Sequence, residues 1–174
     1  YKNIVPFYNR EIKDNKKVNL KMLHFFINTG IRDTAYYWNE LLKCLKVYIQ
    51  LRKICPTVNS LNIGGGFPIK NSLAFEYDYE YMVNEIIHQI KTACTEADVP
   101  VPNIFTEFGS FTVGESGGAI YEVLYQKQQN DREKWNMINS SFITTLPDTW
   151  AISKKFVMLA VNRWNDEYER VLLG

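Results

Sequence analysis

The sequence has little with which to hold a metal and almost no net charge. It contains only two histidines, His24 and His88, and three cysteines, Cys44, Cys55 and Cys94. So few histidines exclude a histidine-rich metal site. The absence of any Cys-x-x-Cys pair removes a zinc knuckle and a redox dithiol. Three separated cysteines make no disulfide framework, so buried, reduced thiols and a cytoplasmic setting are expected. A single sequon, Asn139-Ser140-Ser141, points weakly the other way. Lys plus Arg number 20 against 19 Asp plus Glu, a net charge of +1. That leaves no cationic excess for nucleic-acid binding through phosphates. No run approaches the ~20 apolar residues of a transmembrane helix, so no membrane partner is expected. What is plentiful is apolar and aromatic. Hydrophobic residues make up 46% and aromatic rings 14% of the 174 residues, which excludes intrinsic disorder. The rings supply core area and can line a ligand pocket or a subunit contact.

Hydrophobic patterning divides the chain. Residues 18–27 (VNLKMLHFFI) predict a buried strand. Asp33 or Thr34 then caps a helix to about Ile54, with Trp38, Leu41, Leu42, Leu45, Tyr48, Ile49 and Leu51 near a 3.6-residue period and Pro56 closing it. Residues 58–63 predict the next strand, and Asp78 caps a second helix with Met82, Ile86, Ile90, Ala93 and Ala97 on one face. Residues 104–106 predict a short third strand. Strand–helix–strand–helix–strand implies a parallel sheet, open or closed. Beyond residue 118 the pattern turns to strands at residues 119–125, 138–145, 156–161 and 171–173, and antiparallel β structure is expected there. The domain boundary is placed at 118, giving residues 1–118 and 119–174.

Two strand ends carry candidate chemistry. Gly64-Gly65-Gly66 follows the second strand. Glycines there can expose successive backbone N–H groups to an anion, or make an ordinary turn, and the motif alone leaves both open. Glu107 follows the third strand. In parallel α/β proteins ligands bind at the carboxyl ends of strands, so Glu107 and the glycines would share one mouth. His24 is expected to be a satisfied core histidine, and His88 a surface or packing residue. Gly114-Glu115-Ser116-Gly117-Gly118 superficially resembles the nucleophile loop of trypsin-like proteases, with Glu115 where Asp would stand. That chemistry needs a His base beside the Ser, and neither histidine is placed to serve. Leu146-Pro147-Asp148-Thr149-Trp150 reads as a turn into a helix capped by Asp148, or as a functional loop.

Several segments together resemble one family. Leu23-His24-Phe25-Phe26-Ile27-Asn28-Thr29-Gly30, the triple glycine, Thr106-Glu107-Phe108-Gly109, and residues 141–152 (SFITTLPDTWAI) are similar, in order and spacing, to segments of the fold-type III pyridoxal-phosphate decarboxylases. The last is similar to the biosynthetic arginine decarboxylase branch. The resemblance implies the C-terminal part of a (β/α)8 barrel that binds pyridoxal 5'-phosphate, followed by the start of an antiparallel β-domain. It implies decarboxylation of L-arginine to agmatine, through a Schiff base with the cofactor, in polyamine and spermidine biosynthesis. It further implies a cytoplasmic homo-oligomer, and allows a Mg2+ ion. By that match Glu107 is the catalytic carboxylate at the pyridine nitrogen. Gly64, Gly65, Gly66 and Thr29 bind the phosphate, and Phe26 and Ser110 belong to the cofactor site. Two positions depart from the pattern. Phe26 stands where the family stacks a His on the ring, and Ser110 where it has an Arg.

The chain opens at Tyr1 without an initiator Met and stops at Gly174 after a strand-like run, so a piece of a longer protein is expected. The family's cofactor-anchoring lysine and its Cys-Asp-Ser-Asp segment are absent. Three β/α units cannot close a barrel of ~250 residues, so this chain by itself is expected to be inactive. Phe26 and Ser110 support an alternative, a catalytically weak or dead homologue that acts as a binding or regulatory protein. A phosphate-binding α/β enzyme outside the decarboxylases is a third reading.

Overall fold

The computed structural model describes residues 1–27, 31, 34–167 and 169–174. The chain divides into two compact units, Tyr1–Ile69 with Tyr77–Gly114, and Lys70–Glu76 with Glu115–Gly174. In the first, helix α1 (Ile4–Phe7) runs into a wider helical turn over Tyr8–Ile12. Then come β1 (Met22–His24), α2 (Thr34–Ile54), β2 (Ser60–Asn62), α3 (Tyr79–Glu96), β3 (Asn103–Phe105) and α4 (Gly109–Val113). The three strands make one parallel sheet in the order β1-β2-β3. Long helical crossovers are what parallel neighbours need, so the alternation expected from the sequence is realised. β1 and β2 are shorter than the expected runs 18–27 and 58–63 that contain them, and β3 starts one residue before the expected 104–106.

Register decides what each strand offers. Leu23 pairs with Leu61 and Leu61 with Ile104, while His24 pairs with Asn62 and Asn62 with Phe105. Paired residues share a face of the sheet, and neighbours along a strand take opposite faces. Leu61 is wholly buried, and Phe25, Ile27 and Ile63, in the same alternation, continue the core past the strand ends. The His24–Asn62–Phe105 row faces the other way. His24 is therefore no core histidine: its side chain is half exposed, because the pleat turns it opposite Leu23 and Phe25.

The helices cover the apolar face. Helix α2 starts at Thr34, the alternative cap Asp33 lying outside the described residues, and ends before Pro56. It buries Tyr37, Leu41, Cys44, Leu45, Val47, Tyr48 and Leu51. Leu42, expected on that stripe, is exposed, because the buried face lies on the side of Tyr37, Leu41 and Cys44. The Asp78 carboxylate caps α3 by accepting the Tyr81 N–H at 2.9 Å. One side of α3 then buries Met82, Ile86, Ile90 and Cys94. All three cysteines are buried and unbridged.

The second unit departs further from expectation. Strand β4 (Val123–Asn130) pairs antiparallel with β5 (Glu133–Ile138) as a hairpin. At its tip, Asn130 Oδ1 accepts the N–H groups of Arg132 at 2.9 Å and Glu133 at 3.0 Å, a side-chain turn that needs no apolar pattern. Strand β6 (Leu172–Leu173) joins β5 in parallel, not antiparallel. The strand expected over 138–145 stops at Ile138, and α5 (Phe142–Thr145) follows. There the hydroxyls of Thr144 and Thr145 donate to the Ser141 carbonyl at 2.9 and 2.8 Å, and such local bonds compete with a ladder. Residues 156–161 form no strand; an apolar run becomes a strand only where a neighbour offers it a ladder. Residues 146–150 do turn into a helix, α6 (Pro147–Ala151), led by Pro147. Asp148 sits in its first turn and faces Lys154 Nζ at 3.4 Å instead of capping it. Among the described residues no helix is long and apolar enough to cross a membrane.

Two outcomes follow. Replacing the cap, Asp78→Ala, should lower stability by about 1 kcal/mol in urea unfolding, and an unchanged midpoint would remove the cap from the account. Burial pushes the Cys44 thiol up to about 12, whereas an unfolded thiol titrates near ~8.5. The unfolded chain therefore loses its proton first. The stability linked to Cys44 is complete below ~8.5 and declines as pH rises toward the folded value. Unfolding midpoints measured between about pH 8 and 10 should fall less steeply in Cys44→Ala.

Candidate cofactor site

The open face of the first sheet ends in a cluster of polar groups. Past β2, Asn62 leads through Ile63 into Gly64, Gly65 and Gly66. Past β3 comes Glu107, and past β1 comes Phe26. The backbone fastens these ends together. The Phe25 N–H donates to the Asn62 carbonyl at 3.0 Å, Ile63 N–H to Phe105 at 3.0 Å, and Glu107 N–H to Gly64 at 2.8 Å. The three strand ends are thus stitched beyond the regular ladder, and they point one way because the strands are parallel.

Glycine is required here for a stated reason. Gly64 and Gly66 have φ of +70° and +101°, where an L side chain is strained. A Cβ on Gly65 would lie 2.5 Å from the Glu107 carbonyl oxygen, and one on Gly64 would lie 2.8 Å from the Phe25 carbonyl oxygen. The loop therefore packs against both neighbouring strand ends with no space for a methyl group. Phe67, next after the loop and buried, stacks on Phe108 at 3.9 Å between centroids and 21°. It also meets Phe111 edge-on at 5.7 Å. Main-chain pairing and aromatic stacking together lock the glycine loop to the segment that carries Glu107.

The Glu107 carboxylate is held by side chains as well. Asn62 Nδ2 donates to Glu107 Oε1 at 2.8 Å, and His24 Nε2 lies 3.5 Å from the same oxygen. Asn62 Oδ1 accepts the Gly64 N–H at 2.9 Å. The Gly64 N–H is thereby engaged inside the loop, while Gly65 is half-buried and Gly66 exposed. Phe26 is 59% exposed and stands beside the loop, its Cδ2 3.2 Å from the point a Gly64 Cβ would occupy. Ser110 is exposed in the first turn of α4. Thr29 lies outside the described residues. Phe26, the three glycines and Glu107 are thus brought to one end of the sheet.

Sequence reasoning missed Asn62 and His24. Strand parity could have found both: His24 lies two residues before Phe26, and Asn62 alternates with the apolar Leu61 and Ile63 just ahead of the glycines. Among the described residues no group of three or more His, Cys, Asp or Glu could hold a metal ion, and nothing in the site supports Mg2+.

Such an arrangement suits a phosphorylated ring compound. A side-chain-free loop can approach an anion closely, and a carboxylate on the adjoining strand end can meet a ring nitrogen. Residues 7–114 match the family described as pyridoxal-dependent decarboxylase, pyridoxal binding domain. The chain belongs to the pyridoxal-dependent decarboxylases. It is similar to the biosynthetic arginine decarboxylase of Citrifermentans bemidjiense, 31% identical over 145 residues, 79% of this chain and 22% of that protein. The chain thus spans about a fifth of that relative's length. In fold it is similar to the biosynthetic arginine decarboxylase of Campylobacter jejuni, with a TM-score of 0.69 at 15% identity, covering 88% of this chain and 40% of that one. It is also similar to the diaminopimelate decarboxylase of M. jannaschii in complex with L-lysine, with a TM-score of 0.75 at 18% identity over 90% of this chain and 35% of that one. These likenesses show the fold alone, a parallel α/β arrangement shared with part of each of those chains.

The residues of this chain fit pyridoxal phosphate: the Cβ-free cradle at Gly65 and the carboxylate at Glu107 are adjacent and joined through the Glu107 N–H bond to the Gly64 carbonyl. Gly65→Ala should force the Glu107 strand end to move. It should cost about 1–3 kcal/mol of stability, read as a lowered thermal midpoint, and weaken pyridoxal phosphate binding in a fluorescence titration. A variant as stable and as tight as the wild type would show that the loop has room to spare.

Proposed function

We propose that this chain forms the cofactor-binding part of an enzyme that decarboxylates L-arginine to agmatine for polyamine biosynthesis, spermidine included. The observation that carries the reading is the meeting of the glycine loop and Glu107 at adjacent parallel strand ends, in a chain that belongs to the pyridoxal-dependent decarboxylases. The choice of arginine rests on the similarity to biosynthetic arginine decarboxylases and on the Leu146-Pro147-Asp148-Thr149-Trp150 stretch. In this reading residues 1–118 are the C-terminal part of a (β/α)8 barrel and residues 119–174 open the β-domain. The protein is a cytoplasmic homo-oligomer.

Bound pyridoxal phosphate supplies an electron-withdrawing pyridine ring that stabilises the charge left on the substrate's α-carbon as CO2 departs. The chain's own residues hold that ring in a productive state. The N–H groups of Gly65 and Gly66 would hold the phosphate, with Gly64 setting the turn and the Ser110 hydroxyl nearby; Thr29 is assigned to the phosphate by the family resemblance alone. Glu107 keeps a proton at the pyridine nitrogen, since an anionic carboxylate favours the charged, protonated ring. Phe26 would cover the ring face and shield it from water.

The second reading, a weak or inactive homologue that binds a ligand or partner, is favoured by Phe26, which has no polar edge, and by Ser110, which carries no cation. One assay separates the two. The full-length protein with pyridoxal phosphate should release agmatine and CO2 from arginine in preference to ornithine, lysine or diaminopimelate. Glu107→Gln should lower turnover by about 10²-fold or more while the cofactor still binds. Cofactor binding without turnover on any of these substrates would favour the second reading, and unchanged turnover in Glu107→Gln would remove Glu107 from its role.

A further inference from the structure

We propose that Asn62 and His24 are a pair of positioning residues for Glu107, and that Asn62 also ties the carboxylate to the phosphate loop. The proposal rests on the cofactor reading above and deepens it. Asn62 is a two-ended clamp. Its Oδ1 accepts the Gly64 N–H at 2.9 Å, and its Nδ2 donates to Glu107 Oε1 at 2.8 Å. One planar amide thus joins the loop that cradles the phosphate to the group that faces the ring nitrogen. These sites hold opposite ends of one rigid ligand, so their spacing matters to a fraction of an ångström.

His24 makes the second contact on the same oxygen, with Nε2 at 3.5 Å from Oε1. Parallel register puts it there: His24 is the direct partner of Asn62 across the β1–β2 ladder. Side chains from two strands thus converge on a carboxylate carried past the end of the third. Both contacts fall on Oε1, which leaves Oε2 as the oxygen offered to the pyridine nitrogen. A half-exposed Glu side chain has many rotamers, and two neighbours on one oxygen select among them. The backbone bond from Glu107 N–H to Gly64 fixes the main chain, but it cannot set the side-chain torsions.

The test uses the full-length protein and three readouts: the Kd for pyridoxal phosphate by fluorescence quenching, the absorbance of the bound cofactor from pH 6 to pH 9, and the thermal midpoint. Asn62→Ala loses both ends of the clamp, so it should weaken cofactor affinity about tenfold and alter the pH dependence of the cofactor band. His24→Ala does not touch the glycine loop. It should leave the Kd within about twofold yet shift the same band, and His24→Gln, which keeps an N–H donor, should restore it in part. In the Glu107→Gln background each substitution should change the spectrum much less than in the wild type, because both act through that carboxylate. If Asn62→Ala does not fold, the His24 pair and its Glu107→Gln double variants decide. An unchanged spectrum in either folded single variant, while Glu107→Gln alone alters it, overturns the paired assignment. A Glu107→Gln protein whose bound-cofactor spectrum matches the wild type instead overturns the cofactor reading itself.

Discussion

The register of three short parallel strands is the constraint on which the rest of the first unit depends. Once Leu23, Leu61 and Ile104 are aligned in one row, the pleat places His24, Asn62 and Phe105 in the next, on the opposite face. A slip of one residue in β1 or β2 would turn His24 or Asn62 into the helix-covered core and Leu23 or Leu61 out of it. Leu61 and its neighbours Phe25, Ile27 and Ile63 share one core with the buried stripes of α2 and α3. His24 and Asn62 escape the cost of burial because they face away from that core. Packing on one side of the sheet thus arranges the chemistry on the other.

At the carboxyl ends the chain turns that arrangement into a site. The glycines let the main chain pass within van der Waals limits of two neighbouring strand ends, and the Phe67–Phe108 stack reinforces the same junction from behind. The result is a short backbone loop and a carboxylate with a fixed separation. A flexible loop with the same residues would have to order itself on each binding event. This one is ordered by the fold beforehand, which lowers the cost of holding a ligand at both ends.

The second unit shows how differently the two halves could be read. In residues 1–114 helix-length periodicity, the Asp78 cap and Pro56 leave few alternatives for α2 and α3, which fall where the pattern places them, while α1, the turn at Tyr8–Ile12 and α4 carry no such pattern. In residues 115–174 the strand signals are only apolar runs. There Ser141, Thr144 and Thr145 bond to their own backbone, the hairpin tip is set by the Asn130 side chain, and β6 finds a parallel edge on β5. A strand exists only with a partner, and the partner is a tertiary fact.

The sequence by itself determined the alternation of strands and crossover helices, the helix cap at Asp78, the demand for glycine at residues 64–66, and the family, because each is written in local residue types and spacing. The tertiary structure decided that His24 leaves the core, that Asn62 spans the glycine loop and Glu107, and that the Gly64 N–H is taken up within the loop. Each of these depends on which residue of one strand lies opposite which residue of the next. That is set by the packing of α2 and α3 on the sheet, and it has no signature within any one strand.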